Sequence, residues 1–114
     1  MESAVEDAVK NAHKYNIKNI RFIAGDILDN LHHITHMPDI IVIDPPRAGM
    51  HPKIAEFLTN RGAERIIYVS CNPTTLARDL EVLSTKYQTI KVQPVDMFPQ
   101  TYHIESVTLL ERIV

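Results

Sequence analysis

The chain has 114 residues, 45% of them hydrophobic and 23% charged, which is ordinary for one globular domain. Its formal net charge of -2 gives no strongly basic surface, so any nucleic-acid affinity must come from a local patch or another region. A single cysteine excludes an internal disulfide and favours a reducing cytoplasm. No apolar run approaches the roughly 18 residues of a membrane span, and the first residues lack the pattern of a signal peptide.

Hydrophobic periodicity predicts helices that alternate with strands. Apolar residues from Ala4 to Ala12 recur at helical spacing, with Ser3 as the expected N-cap. The β-branched run Asp39–Ile43 is typical of a fully buried parallel strand. In chain order the predicted elements are helix Ser3–Tyr15, strand Ile20–Ala24, helix Ile27–His33, strand Asp39–Ile43, helix His51–Asn60, strand Arg65–Ser70, helix Thr74–Thr85, strand Gln88–Val95 and strand His103–Ile113.

This alternation predicts an α/β fold with a doubly wound, mainly parallel sheet. The last two strands are separated only by a short loop that contains Pro99, so we expect them to pair antiparallel. The three glycines, Gly25, Gly49 and Gly62, cannot form a G-x-G-x-x-G turn. If the fold binds a nucleotide-like cofactor in its first strand-helix unit, that unit is missing here.

Two strand ends carry candidate chemistry. Asp44–Gly49, with the sequence Asp-Pro-Pro-Arg-Ala-Gly, makes a stiff bend, because each proline fixes its own φ and restricts the residue before it. Cys71 stands between a strand and a helix N-terminus, where a thiolate is favoured. Taken alone, the first pattern also fits a plain rigid turn with a solvated Arg47, and the second fits a buried, inert thiol.

Further polar residues stand near other strand ends. His103 and Glu105 would face the same side of a strand, so Glu105 is a candidate base; both could equally be solvent-exposed residues of an edge strand. Asp26 follows a predicted strand and could bind a ribose or an adenine amino group, although a helix cap is the simpler interpretation. The histidines of 32–36 lack carboxylate or cysteine partners at suitable spacing, so we predict no metal site.

In combination these motifs resemble the RNA uracil-5-methyltransferase family, which makes 5-methyluridine in tRNA and ribosomal RNA. Three of them match in order and spacing: Asp44–Gly49, Ser70–Pro73, and Asp96–Thr101 leading to Glu105. Each is moderately specific, whereas their ordered combination is highly specific. The resemblance covers essentially the whole chain.

The resemblance implies a class I, Rossmann-like methyltransferase fold and S-adenosylmethionine as the cofactor. It implies that Cys71 is the nucleophile, that Glu105 is the general base, and that Asp26 and Asp44 lie near the cofactor. Arg47 or His103 would contact the target base or its backbone, and RNA would be the partner of the whole protein.

The resemblance also implies that residues 1–114 form the C-terminal part of the catalytic domain. The family's RNA-binding domain, Gly-rich loop and ribose-binding acidic residue would lie upstream of Ser3. We therefore expect this chain by itself to be inactive. We also expect its exposed Asp39–Ile43 edge to be covered by a second copy, a swapped element or a shifted strand.

Two other functions remain open at this point. A folded, non-catalytic fragment that binds no cofactor fits the missing Gly-rich loop. A cysteine hydrolase could use Cys71 and His103, although the sequence shows neither an oxyanion hole nor a group to orient the histidine. An adenine amino-methyltransferase fits less well, because Arg47 stands where those enzymes carry an aromatic residue.

Overall fold

The structure is a computed structural model, and it describes residues 2–96 and 105–113. The chain divides into two compact units, Met1–Thr35 and His36–Val114. The described part of the first unit contains helices, and the sheet lies in the second unit.

The first unit contains helix α1, Glu2–Lys14, and the short helix α2, Ile27–Asn30, which continues into a 3-10 turn at Leu31–His33. The prediction of Ser3 as N-cap is wrong, because α1 begins before it and Ser3 lies inside the helix. The predicted strand at Ile20–Ala24 is also wrong. A strand needs a neighbour to satisfy its hydrogen bonds, and the described residues of this unit offer none.

The second unit is built on a mixed four-stranded sheet. Its strand order is β1-β2-β4-β3, with β1 and β2 parallel and the other two pairings antiparallel. The α/β class and the antiparallel final pair are thus confirmed, whereas the expected mainly parallel arrangement is wrong within the described residues. The elements are β1 Ile40–Ile43, α3 Pro52–Arg61, β2 Arg65–Ser70, α4 Pro73–Leu83, β3 Tyr87–Val95 and β4 Glu105–Arg112.

One face of this sheet packs into the core. Alternation along β2 buries Ile66, Tyr68 and Ser70, and the register sets Leu110 and Thr108 of β4 beside the first two. Both long helices of this unit add buried side chains to the same cluster, namely Ala55, Leu58, Leu76 and Leu83. Each large side chain buried in this way contributes about 1.5–3 kcal/mol to stability.

The first strand is less buried than predicted. Strand β1 runs parallel to β2 as expected, but Ile40 and Val42 remain 48% and 65% exposed. The reason is that successive side chains of a strand point to opposite faces of the sheet, and only Ile41 and Ile43 face the core cluster. The covering of this edge by a second copy, a swapped element or a shifted strand stays a prediction.

Thr108 gives a direct test of the packing of this core. Its hydroxyl oxygen is buried without a hydrogen-bond partner, and the residue is fully inaccessible to solvent. Thr108→Val replaces that hydroxyl with a methyl group of similar size. We expect the free energy of unfolding to rise by about 1 kcal/mol, since the cost of desolvating an unpaired polar group disappears.

Urea denaturation would measure this change. Thr89→Val on the neighbouring strand is the control, since Thr89 is exposed and its replacement should change stability by less than about 0.5 kcal/mol. Equal effects at the two positions, or a loss of stability at Thr108, would contradict the interpretation.

Candidate active site

The parallel pairing of β1 and β2 brings two predicted site segments to one edge of the sheet. Ile43 of β1 stands beside Tyr68 of β2 in the register, so both strands end at the same edge. The Asp44–Gly49 turn directly follows β1, and Cys71 directly follows Ser70, the last residue of β2. The carboxyl edge of parallel strands is where α/β proteins collect ligands and catalytic groups.

Strand β4 brings Glu105 to the same edge. It runs antiparallel to β2, and the last pair in their register is Ser70 with Ser106. Glu105 is the next residue on β4, and Cys71 directly follows β2, so both lie at this end of the β2–β4 pairing. Two residues far apart in sequence, the candidate nucleophile and the candidate base, thus lie at neighbouring positions.

The loop that carries Cys71 is held rigidly. The Ser70 hydroxyl accepts a hydrogen bond from the Asn72 amide at 3.1 Å and donates to the Asn72 carbonyl at 3.0 Å. The Asn72 side chain accepts from the Thr74 amide at 3.0 Å and thereby caps α4. The Cys71 thiol is free and partly buried, and it lies directly before this helix cap. Its neighbours on both sides are thus held by hydrogen bonds, while the thiol keeps part of its surface exposed.

The Asp44–Gly49 turn is fastened to the same loop and to α4. The Arg47 carbonyl accepts hydrogen bonds from the side-chain amide of Asn72 and from the Thr75 hydroxyl, both at 3.1 Å. The Ala48 carbonyl accepts one from the Arg78 guanidinium at 2.7 Å. The turn after β1 and the loop after β2 are thus one hydrogen-bonded unit.

A buried carboxylate stands behind this unit. Asp79 is only 3% exposed, and its Oδ2 accepts from the Met50 amide at 2.8 Å and from the Tyr68 hydroxyl at 2.5 Å. Its Oδ1 lies 3.5 Å from the Arg78 guanidinium. Burial, and then the hydrogen bond to Asp79 and its charge, raises the pKa of the Tyr68 phenol, which therefore stays protonated and donates.

Sequence analysis did not identify Asp79 or Tyr68. A signal for Asp79 was available, because it falls on the apolar stripe of α4 formed by Leu76, Leu80 and Leu83. An acidic residue on a buried helix face must have partners, since an unpaired buried charge is costly. The identity of those partners could not be deduced from the sequence, because they lie on other elements.

Gly49 is required where the turn approaches α4. Its φ is +90°, a region that side chains rarely adopt, and a Cβ atom would clash first with the Arg78 guanidinium and would lie 2.9 Å from Asp79 Oδ2. The Gly49 amide also closes the turn by donating to the Pro46 carbonyl at 2.8 Å.

The remaining predicted site residues are placed as follows. The Asp44 carboxylate and the Arg47 guanidinium are exposed, and neither has a hydrogen-bond or ion-pair partner within the described residues. Asp26 belongs to the first unit, where its Oδ1 accepts from the Leu28 amide at 2.9 Å and caps α2. The structure therefore shows the capping alternative for Asp26. His103, the partner in the hydrolase hypothesis, and most of Asp96–Thr101 lie outside the described residues.

A cavity of about 880 Å³ adjoins the turn. Its walls come from the turn, α3 and α4, and include Pro46, Met50, Ala55, Arg78 and Val82. Neither Asp44 nor Cys71 is among its lining residues.

The described residues contain neither a metal-binding cluster nor a membrane-spanning helix. No group of three His, Cys, Asp or Glu side chains there could hold a metal ion, and the His32 and His33 rings lie 4.1 Å apart without such partners. No helix in the described ranges is long and apolar enough to cross a membrane.

Comparison with known proteins identifies the class of fold and then the family. This chain is similar to the crystal structure of the Pyrococcus abyssi tRNA (uracil-54, C5)-methyltransferase in complex with S-adenosyl-L-homocysteine. The two superpose with a TM-score of 0.79 at 36% identity. The match covers 96% of this chain and 26% of that chain. The fold is thus that of part of a methyltransferase.

Sequence comparison gives the same family. The family model for tRNA (uracil-5-)-methyltransferase matches residues 2–113. Uncharacterized RNA methyltransferases of Bacteroides thetaiotaomicron and Caldanaerobacter subterraneus are 52% and 50% identical to this chain, over 95% and 98% of its length. The chain belongs to the RNA (uracil-5-)-methyltransferases, an enzyme family of transferases. It spans about a quarter of the length of these curated relatives, 25% of each.

Gly49→Ala tests the close approach of the turn to α4. The new Cβ would combine an unfavourable φ with a clash against buried atoms, so we expect a loss of about 2–3 kcal/mol in the free energy of unfolding. Urea denaturation followed by circular dichroism measures it.

Gly25→Ala is the matched control for this substitution. Gly25 also has a positive φ, +118°, but the nearest obstacle to a Cβ there is the end of the Asn30 side chain. This variant should lose about 1 kcal/mol less than Gly49→Ala, because a side-chain end can move away. A smaller loss at Gly49 than at Gly25 would refute the close-approach argument.

Proposed function

We propose that this chain is part of the catalytic domain of an enzyme that transfers a methyl group from S-adenosylmethionine to carbon 5 of a uridine in RNA. The proposal is carried by one observation, the neighbouring positions of Cys71 and Glu105 beside the Asp44–Gly49 turn. Membership of the RNA (uracil-5-)-methyltransferases supports it.

The reaction explains the need for a thiol. Carbon 5 of uracil is too weak a nucleophile to attack a methyl donor directly. The Cys71 thiolate adds to carbon 6 and forms a carbon–sulfur bond, and the electron pair of the C5–C6 double bond moves into an enolate. Carbon 5 then becomes nucleophilic and would take up the methyl group, while the bond from that methyl to the cofactor's sulfur would break and S-adenosylhomocysteine would leave with the bonding electrons. Covalent addition thus divides one difficult step into easier ones.

The reaction also explains the need for a base. After methyl transfer, carbon 5 carries both the new methyl group and its original proton. The Glu105 carboxylate removes that proton, the C5–C6 double bond forms again, and the Cys71 thiolate leaves with its electron pair. Both side chains must reach adjacent carbons of one ring, which agrees with their neighbouring positions at the ends of β2 and β4.

The cofactor supplies the methyl group as an electrophilic sulfonium. Asp44 fits a role in holding it, because an exposed carboxylate without a partner in the described residues can accept hydrogen bonds from an amine or a hydroxyl. Asp26 retains acceptor capacity beyond its bond to Leu28, since a carboxylate has about four lone-pair sites. We assign both residues to cofactor binding.

The partner is an RNA, and its target base must leave the stack to reach Cys71. Arg47 has an exposed guanidinium at the same edge of the sheet. A planar guanidinium can bind a phosphate or stack on a base, so we assign Arg47 to the RNA contact.

Trapping with 5-fluorouridine RNA tests the nucleophile. Fluorine replaces the proton that the base removes, so the adduct cannot resolve and should accumulate. We expect the protein at its full natural length to form a stable RNA complex with S-adenosylmethionine present, visible by denaturing electrophoresis. Cys71→Ser should abolish the complex, whereas Ser84→Ala, at an exposed position, should keep it. An undiminished adduct with Cys71→Ser would show that another group attacks the ring.

Glu105→Gln tests the base with ordinary uridine RNA. The amide cannot remove the proton, so methyl transfer proceeds and release fails. We expect methylated RNA bound covalently to the protein and a fall in turnover of about 10²–10⁴-fold. Glu111→Gln at the other end of β4 is the matched control and should turn over normally. Free methylated RNA released at the normal rate by Glu105→Gln would eliminate Glu105 as the base.

The positions of the glycines limit the affinity that we expect of this chain for S-adenosylmethionine. None of Gly25, Gly49 and Gly62 belongs to a Gly-rich phosphate-type turn, and the segment at Ile20–Ala24 has no strand partner. We therefore expect the 114-residue chain alone to bind S-adenosylmethionine weakly or not at all. Isothermal calorimetry decides this, and a micromolar dissociation constant would contradict it.

A further inference from the structure

We propose that Asp79 is a positioning residue, which fixes the Asp44–Gly49 turn relative to the Cys71 loop and so sets the distance between the methyl-donor side of the site and the nucleophile. This inference rests on the proposed function. Asp79 itself touches neither reacting atoms nor cofactor. It acts through the backbone at Met50 and through Tyr68.

A buried carboxylate in this place needs an explanation. Asp79 is 3% exposed on a helix face otherwise formed by leucines, where an apolar residue would pack without cost to solvation. The chain instead keeps a charge there and surrounds it with donors. Such a group is retained where its hydrogen bonds specify a geometry that apolar packing cannot.

The bonds of Asp79 join three separate elements. Oδ2 accepts from the Met50 amide, just after the turn, and from the Tyr68 hydroxyl of β2, while the side chain stands on α4. Both donors meet one oxygen atom, so movement of either segment breaks a bond at that atom. Tyr68 lies on β2, three residues before Cys71. Its hydrogen bond to Asp79 therefore links the strand that leads to Cys71 with the turn.

The neighbouring Arg78 strengthens the same connection. Its guanidinium donates to the Ala48 carbonyl at 2.7 Å and lies 3.5 Å from Asp79 Oδ1. Asn72, adjacent to Cys71, donates to the Arg47 carbonyl at 3.1 Å. The turn and the residue after it are therefore held at three points, Arg47, Ala48 and Met50, and of these only the Met50 amide bonds to the buried Asp79 carboxylate.

Placement at this precision matters for the rate. A displacement of about 1 Å in a reacting geometry costs up to about 100-fold. Asp44 stands at the start of the turn, and Cys71 at the start of the loop that α4 holds. If the turn moves, the methyl donor and the nucleophile no longer meet the uracil ring together, although each can still bind or react separately.

Three variants separate positioning from general stability. Asp79→Asn keeps the shape and one strong acceptor but removes the charge. Tyr68→Phe keeps Asp79 and its bond to Met50 and removes only one hydroxyl. Glu81→Gln is the matched control, the same carboxylate-to-amide change at an exposed position of α4.

Two measurements need no methylation activity and use the chain as it stands. Hydrogen exchange reports the Met50 amide, which should lose protection in Asp79→Asn by at least tenfold more than the core amides of β2. Iodoacetamide modification reports Cys71, the single cysteine of the sequence, and its rate should change at least threefold in Asp79→Asn and remain normal in Glu81→Gln.

Two further measurements use the protein at its full natural length. In Asp79→Asn we expect the kcat for methyl transfer to fall about 10- to 100-fold, with the KM for RNA changed less than threefold. The kcat of Tyr68→Phe should lie between the kcat of Asp79→Asn and that of the wild type. A thermal melt of each variant verifies that the assays are done on folded protein.

The outcomes separate this inference from the proposed function. If the wild type methylates no RNA but Met50 and Cys71 respond to Asp79→Asn, the coupling stands and the proposed function fails. If the wild type is active and Asp79→Asn matches Glu81→Gln in Met50 protection, Cys71 modification and kcat, the positioning role is refuted. A uniform rise in exchange across all β2 amides would also refute it, since Asp79 would then be only structural.

Discussion

The shared acceptor Oδ2 of Asp79 is the interaction on which the arrangement of the site depends. It receives a backbone amide from the end of the β1 turn and a phenol from β2, and it does so from α4. Because an unsatisfied buried carboxylate is strongly destabilising, all three elements must take up their native positions together. The Asn72 and Arg78 contacts then extend the same connection to the carbonyls of the turn. The two prolines fix the turn locally, and the Asn72 cap fixes the start of α4. The contacts between these segments fix them relative to each other.

The sheet topology adds the third member of the site. Strand β4 lies between β2 and β3 and starts at the edge where β2 ends. Glu105, the proposed base on the last strand, can therefore lie at the same edge as Cys71, which follows an earlier strand. The same topology leaves β1 at one end of the strand order with Val42 exposed. The site is thus assembled at one edge of a sheet of which only one face is well buried.

Sequence reasoning succeeded where local physical chemistry decides the outcome. Strand β2 was predicted with its observed bounds, because a β-branched run between a turn and a proline has few alternatives. The observed starts of α3 and α4, Pro52 and Pro73, lie within one residue of the predicted starts, His51 and Thr74, since proline in the first turn marks a helix start. The failures share a different cause. Whether Ile20–Ala24 forms a strand, and how far Ile40 and Val42 are buried, depends on neighbouring strands that no local pattern specifies.

The sequence by itself determined the family and the candidate residues, because motif order and spacing are properties of the chain. It determined the α/β class and the antiparallel final pair for the same reason. Only the tertiary structure decided that Glu105 lies at the end of β2 that leads into Cys71, and that Asp79 joins three elements. The contacts of Asp79 span sequence separations of 11 and 29 positions, and contacts of that kind follow from packing rather than from local propensity.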